Sequence, residues 1–166
     1  GGAAPTAAFC PLSPAPHVVH IPASAQKVVP WKNGLGRTQQ IAIEPPEATV
    51  SGPFDWRISR AQVGSDGPFS PFPGIDRSLW LLRGNGIELA FAGDGRRVRL
   101  DHRLQRCDFR GEESVGGLLL AGPIEDLNVM TARDRVAARC EVFELRAGAT
   151  RRFAIAAGTT IVVALE

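Results

Sequence analysis

The stretch "SLWLLRGNGIELAFAGDGRRVRLD", Ser78–Asp101, decides the fold that the sequence predicts. Short runs of alternating apolar and polar residues are separated in it by two turn signals, Asn85-Gly86 and Asp94-Gly95. Asn-Gly and Asp-Gly pairs between such runs are strong short-range signals for two-residue β-hairpins. The stretch therefore predicts successive hairpins of an antiparallel sheet.

The rest of the chain repeats this pattern. Its 166 residues include thirteen prolines and eighteen glycines, and the segments between them alternate with a period of two rather than with a helical period. Because strands and helices do not alternate, a doubly wound α/β fold is not expected. Many short strands favour an all-β sandwich or barrel. Eleven candidate strands lie at 17–22, 37–45, 54–63, 78–84, 86–93, 96–101, 116–123, 125–132, 137–146, 150–155 and 159–166.

Composition narrows the possible functions. The length suits one domain, and residues 1–16, rich in Ala, Pro and Gly, are predicted to be a tail without a fold of its own. No apolar run approaches the roughly 18 residues of a membrane helix, so we expect no membrane association. The net charge is only +2 and the arginines are scattered, so we expect no nucleic-acid partner.

Cysteine and histidine usage argues against a metal centre. The three cysteines, Cys10, Cys107 and Cys140, are far apart and do not form a CxxC motif, which fits a reducing, cytoplasmic setting. The three histidines do not form an HxH, HxxxH or HExxH pattern. No nucleophile elbow supports a Ser–His–Asp triad. The sequence thus predicts no metal, no cofactor and no catalytic residue of these common types.

The segment "VVPWKNGLGRTQQIAIEP", Val28–Pro45, carries the first candidate ligand-binding residues, Lys32 and Asn33. Its glycines do not match a dinucleotide or P-loop motif, so they indicate a turn that enters a strand. Lys offers three hydrogen-bond donors, and Asn offers both donors and an acceptor. Lys32 and Asn33 therefore either line the mouth of a binding site or belong to a solvated loop.

The segment "FDWRISRAQV", Phe54–Val63, places Asp55, Arg57 and Ser59 on one face of a strand and the apolar Trp56 and Ile58 on the other. If the polar face looks into the interior, Arg57 needs a partner, because an unpaired buried charge is very costly. Its planar guanidinium suits a carboxylate. That carboxylate could belong to a ligand or to an Asp or Glu of the protein.

Two further segments complete the candidate set. By the same alternation, "EDLNVMT" places Asn128 beside Asp126 and Met130, which makes Asn128 a candidate binding residue. In "GPFSPFPGIDR", Gly67–Arg77, we expect Phe69 and Phe72 to pack on each other while Asp76 and Arg77 fix the loop by hydrogen bonds. The loop is interpreted as structural, although it could also cover the mouth of a cavity.

Three segments in order resemble the HutD/Ves family: "PWKNGLGRTQQIAI" (Pro30–Ile43), "FDWRISRAQVGSDGPFSPFPGIDRSLWLLRGNGIEL" (Phe54–Leu89) and "GPIEDLNVMT" (Gly122–Thr131). The resemblance implies a cupin-like β-sandwich or barrel in which two antiparallel modules pack as a bicupin, here over residues 17–166. The second module resembles the family's second half but stops before its usual closing strands. Cupin enzymes commonly hold a metal through histidines, and "PGIDRSLWLLRGNG" (Pro73–Gly86) has none.

The resemblance implies a metal-free protein that binds a small carboxylate such as N-formylglutamate and acts as a regulator or sensor in histidine utilisation. The residues expected to line its site are Lys32, Asn33, Arg57, Ser59 and Asn128. Two other functions stay open. The chain could be a metal-free hydrolase or isomerase with Asp55, Asp126 or Glu44 as a general base, or a structural or protein-interaction module. A homodimer is also left open.

Overall fold

The computed structural model describes residues 18–31, 36–152 and 158–165. Lys32, Asn33 and the predicted tail at 1–16 lie outside these residues. The chain divides into two compact units, Gly1–Val136 and Ala137–Glu166. All strands described below belong to the first unit.

The described residues of the first unit form ten β-strands in two antiparallel sheets. The larger sheet has the order β1-β2-β3-β10-β5-β8, and the smaller one has the order β4-β9-β6-β7. A single turn of 3₁₀ helix, Ala23–Ala25, precedes β1. The strands are β1 (Lys27–Pro30), β2 (Gly36–Glu44), β3 (Trp56–Val63), β4 (Gly67–Pro68), β5 (Ile75–Arg83), β6 (Ile87–Phe91), β7 (Arg97–Leu100), β8 (Arg106–Arg110), β9 (Val115–Leu119) and β10 (Ile124–Ala132).

The main apolar core joins the two sheets. Leu79 and Leu81 of the larger sheet pack in one cluster with Ile87, Leu89 and Phe91 of the smaller sheet. A second apolar cluster is built around Phe54 and Met130. This arrangement confirms the predicted all-β sandwich, with apolar side chains from alternate strand positions between the sheets.

The Asn85-Gly86 turn was predicted to close a hairpin, and this prediction is wrong. β5 pairs with β10 and β8, whereas β6 pairs with β9 and β7, so the turn carries the chain from one sheet to the other. The cause is tertiary: Asn85 Nδ2 donates to Ala121 O at 2.9 Å, and Leu120 N donates to Gly86 O at 3.0 Å. These bonds tie the turn to the segment after β9 instead of to a partner strand.

The Asp94-Gly95 hairpin is confirmed, with a longer loop than predicted. β6 and β7 pair in antiparallel register, and Phe91 N donates to Arg96 O at 2.9 Å at the base of the loop. Asp94 Oδ1 accepts a bond from Arg96 N at 2.9 Å, and Gly95 has a positive φ of 72°. Asp and Gly therefore supply the side-chain acceptor and the left-handed backbone that such a turn needs.

The described residues of the second unit, 137–152 and 158–165, contain no strand. The sequence predicts strands at 137–146, 150–155 and 159–166, and residues 153–157 and 166 lie outside the described ranges. Alternation is not sufficient for a strand, because the backbone N–H and C=O groups also need a neighbouring strand to pair with. A bicupin arrangement stays a prediction.

No helix in the described part of the chain has the length and apolar character needed to span a membrane.

Candidate functional site

A strip of polar side chains lies buried on the inner face of β3, β10 and β5. Arg57, Ser59, Arg77, Asp126 and Asn128 are each at most 9% exposed. They share this face because residues directly opposite each other in an antiparallel pair point to the same side of the sheet. We call these five residues the inner polar strip.

The strip follows the register of β10, the strand between β3 and β5. Met130 lies opposite Arg57 on one side and Arg77 on the other, so the two arginines occupy one row. Asn128 lies opposite Ser59 in the next row. Asp126 lies one row further on, between apolar neighbours. The predicted residues Arg57, Ser59 and Asn128 are thus brought together.

The hydrogen-bond partners of Arg57 among the described residues are neutral. Its Nε donates to Gln40 Oε1 at 3.0 Å, and its Nη1 lies 3.9 Å from Met130 Sδ. None of the ion pairs found among residues 18–31, 36–152 and 158–165 involves Arg57. Burial lowers the pKa of its guanidinium. The predicted alternative, an ion pair with an Asp or Glu of the protein, is therefore not found in the described part of the chain.

Arg77 is a member of the strip that the sequence analysis did not select. Its guanidinium carbon lies 4.9, 5.3 and 5.5 Å from the ring centroids of Phe109, Phe69 and Phe72, and its Nη1 donates to Ser70 O at 3.2 Å. Its Nε is buried without a partner. Burial lowers the pKa of Arg77 to about 10, with Asp126 acting against this effect and Arg57 adding to it.

The predicted roles of the segment Gly67–Arg77 hold in part, because Arg77 does bond to the loop through Ser70 O. Phe69 and Phe72 pack against different apolar clusters and both face the Arg77 guanidinium. Asp76 is bonded to Arg133, whose Nε donates to Asp76 Oδ1 at 2.6 Å. The signal for Arg77 was present in the sequence, because "IDRSLWLLR" places it in phase with the buried Ile75 and Leu79.

Asp126 and Asn128 present unpartnered acceptors. The Oδ1 atoms of both side chains are buried and have no hydrogen-bond partner in the part of the chain that the structure describes. Asp126 is only 1% exposed. Burial raises its pKa to about 7, with Arg77 opposing the rise and Glu125 adding to it. The strip therefore combines two cationic side chains with a carboxyl group that changes its charge near neutral pH.

The three carboxylates considered as general bases occupy different positions. Asp55 accepts a bond from Arg135 Nε at 2.6 Å and is half-exposed. Glu44 pairs with Trp56, on the opposite face of β3 from Arg57. Of the three, Asp126 is the one that lies on the inner face with Arg57. In the described ranges, no group of three or more His, Cys, Asp or Glu side chains could hold a metal ion.

Trp31 and Thr38 mark the flanks of the segment that carries Lys32 and Asn33. Trp31 N donates to Gly36 O at 2.9 Å, and its indole Nε1 donates to Thr38 Oγ1 at 2.9 Å. Thr38 lies opposite Ala61, on the same face as Arg57. The roles of Lys32 and Asn33 stay predictions.

A separate groove of about 980 Å³ lies outside the strip. It is lined by residues 50–54, 70–75 and 132–135, and it includes no predicted site residue. Its two arginines are paired, Arg133 with Asp76 and Glu112 and Arg135 with Asp55. The groove thus offers fewer unsatisfied groups to a ligand than the inner polar strip does.

Two curated relatives are similar in sequence to about two thirds of the chain. The chain is 37% identical over 113 residues to protein Ves of Citrobacter koseri, an alignment that covers 68% of this chain and 56% of the relative. It is also 37% identical over 116 residues to an uncharacterised 21.2 kDa protein of Pseudomonas putida encoded in the hutC 3′ region, covering 70% of this chain and 59% of the relative. The chain therefore spans just over half the length of these relatives.

The chain is also similar to solved structures from two Pseudomonas species. PA5104 of Pseudomonas aeruginosa PAO1 matches with a TM-score of 0.62 and 36% identity over 69% of this chain and 57% of its own. HutD of Pseudomonas fluorescens SBW25, in its formate condition, matches with a TM-score of 0.59 and 35% identity over 66% of this chain and 58% of its own.

More distantly, the polyketide cyclase RemF of Streptomyces resistomycificus matches with a TM-score of 0.52 and 13% identity over 70% of this chain and 80% of its own, which shows a shared fold alone. The fold class is the predicted cupin-like β-sandwich. The HutD family model matches residues 23–166. The chain belongs to the HutD family.

Proposed function

We propose that this chain binds a small carboxylate, such as N-formylglutamate, on the inner polar strip, and that binding serves regulation or sensing in histidine utilisation. The observation that carries the proposal is Arg57, which is 9% exposed and whose guanidinium contacts a neutral amide and a thioether. A buried cation in such surroundings lacks the anion that would offset its desolvation. A ligand carboxylate would supply that anion.

The other members of the strip favour an anionic ligand of amino-acid size. Arg77 stands in the same row as Arg57, across Met130, and gives the site a second guanidinium. A guanidinium binds a carboxylate through two parallel hydrogen bonds, which fixes the orientation of the ligand as well as its charge. Ser59 and Asn128 add a hydroxyl and an amide in the next row. The proposed site also includes Lys32 and Asn33, on the basis of the sequence prediction.

The biological setting comes from the relatives. One relative is encoded in the hutC 3′ region of Pseudomonas putida, and one similar structure is HutD in a formate condition. Both facts are compatible with a ligand from histidine breakdown. Because the chain spans just over half of these proteins, the activity of the whole protein belongs to the proposal.

A thermal-shift titration tests the proposal. The panel is histidine, urocanate, N-formylglutamate and glutamate. A ligand at about one hundred times its Kd stabilises the chain by about 2.7 kcal/mol. We expect a shift with N-formylglutamate that disappears in Arg57→Met. The matched control is Arg60→Met, which removes an arginine from the opposite face of the same strand, where it pairs with Glu125 at 3.8 Å.

Each result has a clear meaning. A shift that persists in Arg57→Met would place the ligand elsewhere. The absence of any shift across the panel would contradict carboxylate binding and favour an interaction module.

One observation favours a second function, a metal-free enzyme that acts on a related acid. Asp126 is buried beside the proposed ligand, and its pKa of about 7 suits a general base at neutral pH. This function predicts slow turnover of a bound acid that Asp126→Asn abolishes while binding persists. Product formation followed by NMR over hours would distinguish the two functions, since a pure binding protein leaves the acid intact.

A further inference from the structure

Two buried acceptors of the inner polar strip need donors that the described protein does not supply. The Oδ1 atoms of Asp126 and Asn128 have no hydrogen-bond partner, although the two residues are only 1% and 7% exposed. They stand two positions apart on β10, so both point to the inner face, roughly 7 Å apart along the strand. A buried acceptor without a donor destabilises the folded chain, and a donor from a ligand removes that destabilisation.

Asp126 and Asn128 occupy a different place from the arginines. Arg57 and Arg77 flank Met130, whereas Asn128 lies one row away and Asp126 two rows away. The strip thus has a cationic end and an acceptor end. The distance of roughly 7 Å between the Arg57 and Asn128 rows is comparable to the length of a five-carbon diacid.

We propose that the strip selects carboxylates that also carry an N–H donor, namely amino acids or N-acyl amino acids of glutamate size, over plain dicarboxylates of the same length. This inference rests on the proposed carboxylate binding. The carboxylate contacts the guanidinium at the Arg57 end, and the N–H donates to Asn128 Oδ1, with Asp126 Oδ1 as the acceptor for a donor that reaches further. A plain diacid satisfies Arg57 but leaves both acceptors unpaired.

The selectivity follows from an asymmetry in hydrogen bonding. A matching N–H donor gives a buried acceptor the hydrogen bond that it lacks, whereas a ligand that fills the same space without a donor leaves the acceptor unpaired. A ligand with a second acceptor at that position adds repulsion between lone pairs. We therefore expect the order N–H donor, then plain methylene, then carbonyl.

Isothermal titration of the full chain with four acids that share a five-carbon diacid backbone tests this order. Glutamate and N-formylglutamate carry a donor on the second carbon, glutarate carries none, and 2-oxoglutarate carries an acceptor there. We expect at least one donor-bearing acid to bind about tenfold or more tightly than glutarate, and 2-oxoglutarate to bind most weakly. Asn128→Leu should reduce the preference over glutarate to within about twofold, whereas Asn128→Asp keeps an acceptor and should keep the preference.

The outcomes separate this inference from the proposed function. Equal binding of glutarate and the donor-bearing acids would overturn the selectivity but leave carboxylate binding in place. The absence of binding by all four acids would overturn both. A preference that Asn128→Leu leaves unchanged would also overturn the inference. If Asn128→Leu does not fold, as judged by circular dichroism, the test uses the wild-type chain and Asn128→Asp. For each of them, the affinity for the donor-bearing acids is compared with the affinity for glutarate, and the absence of a preference in either would overturn the inference.

Discussion

The Arg57 guanidinium holds a permanent charge against Gln40 Oε1 and Met130 Sδ. Neither partner carries a charge, and burial lowers the pKa of Arg57. Such a residue costs stability in the ligand-free chain, and sites of this kind are commonly kept for function at the expense of stability. Arg57 therefore favours binding of the proposed ligand but lowers the stability of the ligand-free chain.

We expect Arg57→Met to leave the free energy of unfolding of the ligand-free chain unchanged or to raise it by about 1–3 kcal/mol. Methionine has a similar length and buries no charge, and apolar replacements of buried ionic groups are often neutral or stabilising. Urea unfolding without ligand measures the effect, and Arg60→Met controls for loss of a cation from the opposite face of β3. A loss of 2 kcal/mol or more in Arg57→Met would mean that the guanidinium is well compensated in the folded chain.

Gln40→Leu should have the opposite effect on the same arginine. It removes the acceptor that lies 3.0 Å from Arg57 Nε, and a buried donor left without a partner costs about 1–3 kcal/mol. We expect this destabilisation in the wild-type chain and little of it in an Arg57→Met background. A double-mutant cycle by urea unfolding measures the difference, and equal effects in both backgrounds would show that the two residues are not coupled.

Much of the site follows from alternation along single strands. Arg57, Ser59 and Asn128 were assigned correctly to one face because a period of two is a local property of β3 and β10. Arg77 was missed because residues 67–77 were interpreted as a loop, whereas β5 already begins at Ile75. The partners of Arg57 could not be predicted, because Gln40 and Met130 reach it from two other strands.

The passage from β5 to β6 depends on Gly86. Its φ is +116°, and a Cβ there would lie 2.5 Å from Leu100 O. Gly95, in the β6–β7 hairpin, also has a positive φ, of +72°, but a Cβ there would meet nothing within 4 Å. A substitution at Gly95 therefore introduces backbone strain alone, whereas a substitution at Gly86 introduces backbone strain and a steric clash.

We expect Gly86→Ala to destabilise the chain far more than Gly95→Ala. Gly95→Ala should cost about 1 kcal/mol, because an L-residue in the left-handed region is strained by that amount. Gly86→Ala adds a clash with the backbone of β7 and should cost several kcal/mol or prevent folding. Thermal unfolding of the two variants measures the difference, and similar costs would indicate that the turn moves to accommodate a side chain.

Strand prediction succeeded where the alternating pattern contains several apolar residues and failed where it contains few. All seven strands predicted between residues 37 and 132 form, with changes at their ends. β8 was missed because "RCDFR" contains only two buried residues, Cys107 and Phe109, and its partner β5 lies about thirty residues earlier in the chain. The Asn-Gly turn showed the reverse error, since a correct local signal was overridden by contacts with the segment after β9.

Across the whole first unit, the inner polar strip lies between two apolar clusters. Leu79 and Leu81, the β5 partners of Asn128 and Asp126, belong to the main core. Met130, at the other end, belongs to the second cluster. The interior of the sandwich therefore carries charged groups between its apolar clusters, and its stability depends on their protonation state.

The pH dependence of the free energy of unfolding should reflect the ionisation of Asp126. Its pKa is raised from 3.8 to about 7 by burial, with Arg77 acting against the rise and Glu125 adding to it, while Arg57 lowers the pKa of the neighbouring Arg77. Below pH 4 the carboxyl is protonated in both the folded and unfolded chains and has little effect. Between pH 4 and 7 the unfolded chain releases the proton first, so rising pH removes stability by about 1.4 kcal/mol per pH unit.

We therefore expect Asp126→Asn to change stability in a pH-dependent way. Asn cannot ionise, so the variant does not lose this stability as the pH rises. The free energy of unfolding of the variant minus that of the wild-type chain should increase from about pH 4 to pH 7 and level off above pH 7. Urea unfolding of both chains at several values between pH 4 and 8.5 measures this difference, in which the effects of all other shared groups largely cancel. A difference that stays constant over this range would mean that Asp126 ionises as readily in the folded chain as in the unfolded one. A difference that shrinks with rising pH would mean that the carboxylate is stabilised in the interior, where the charge of Arg77 acts to lower the pKa of Asp126.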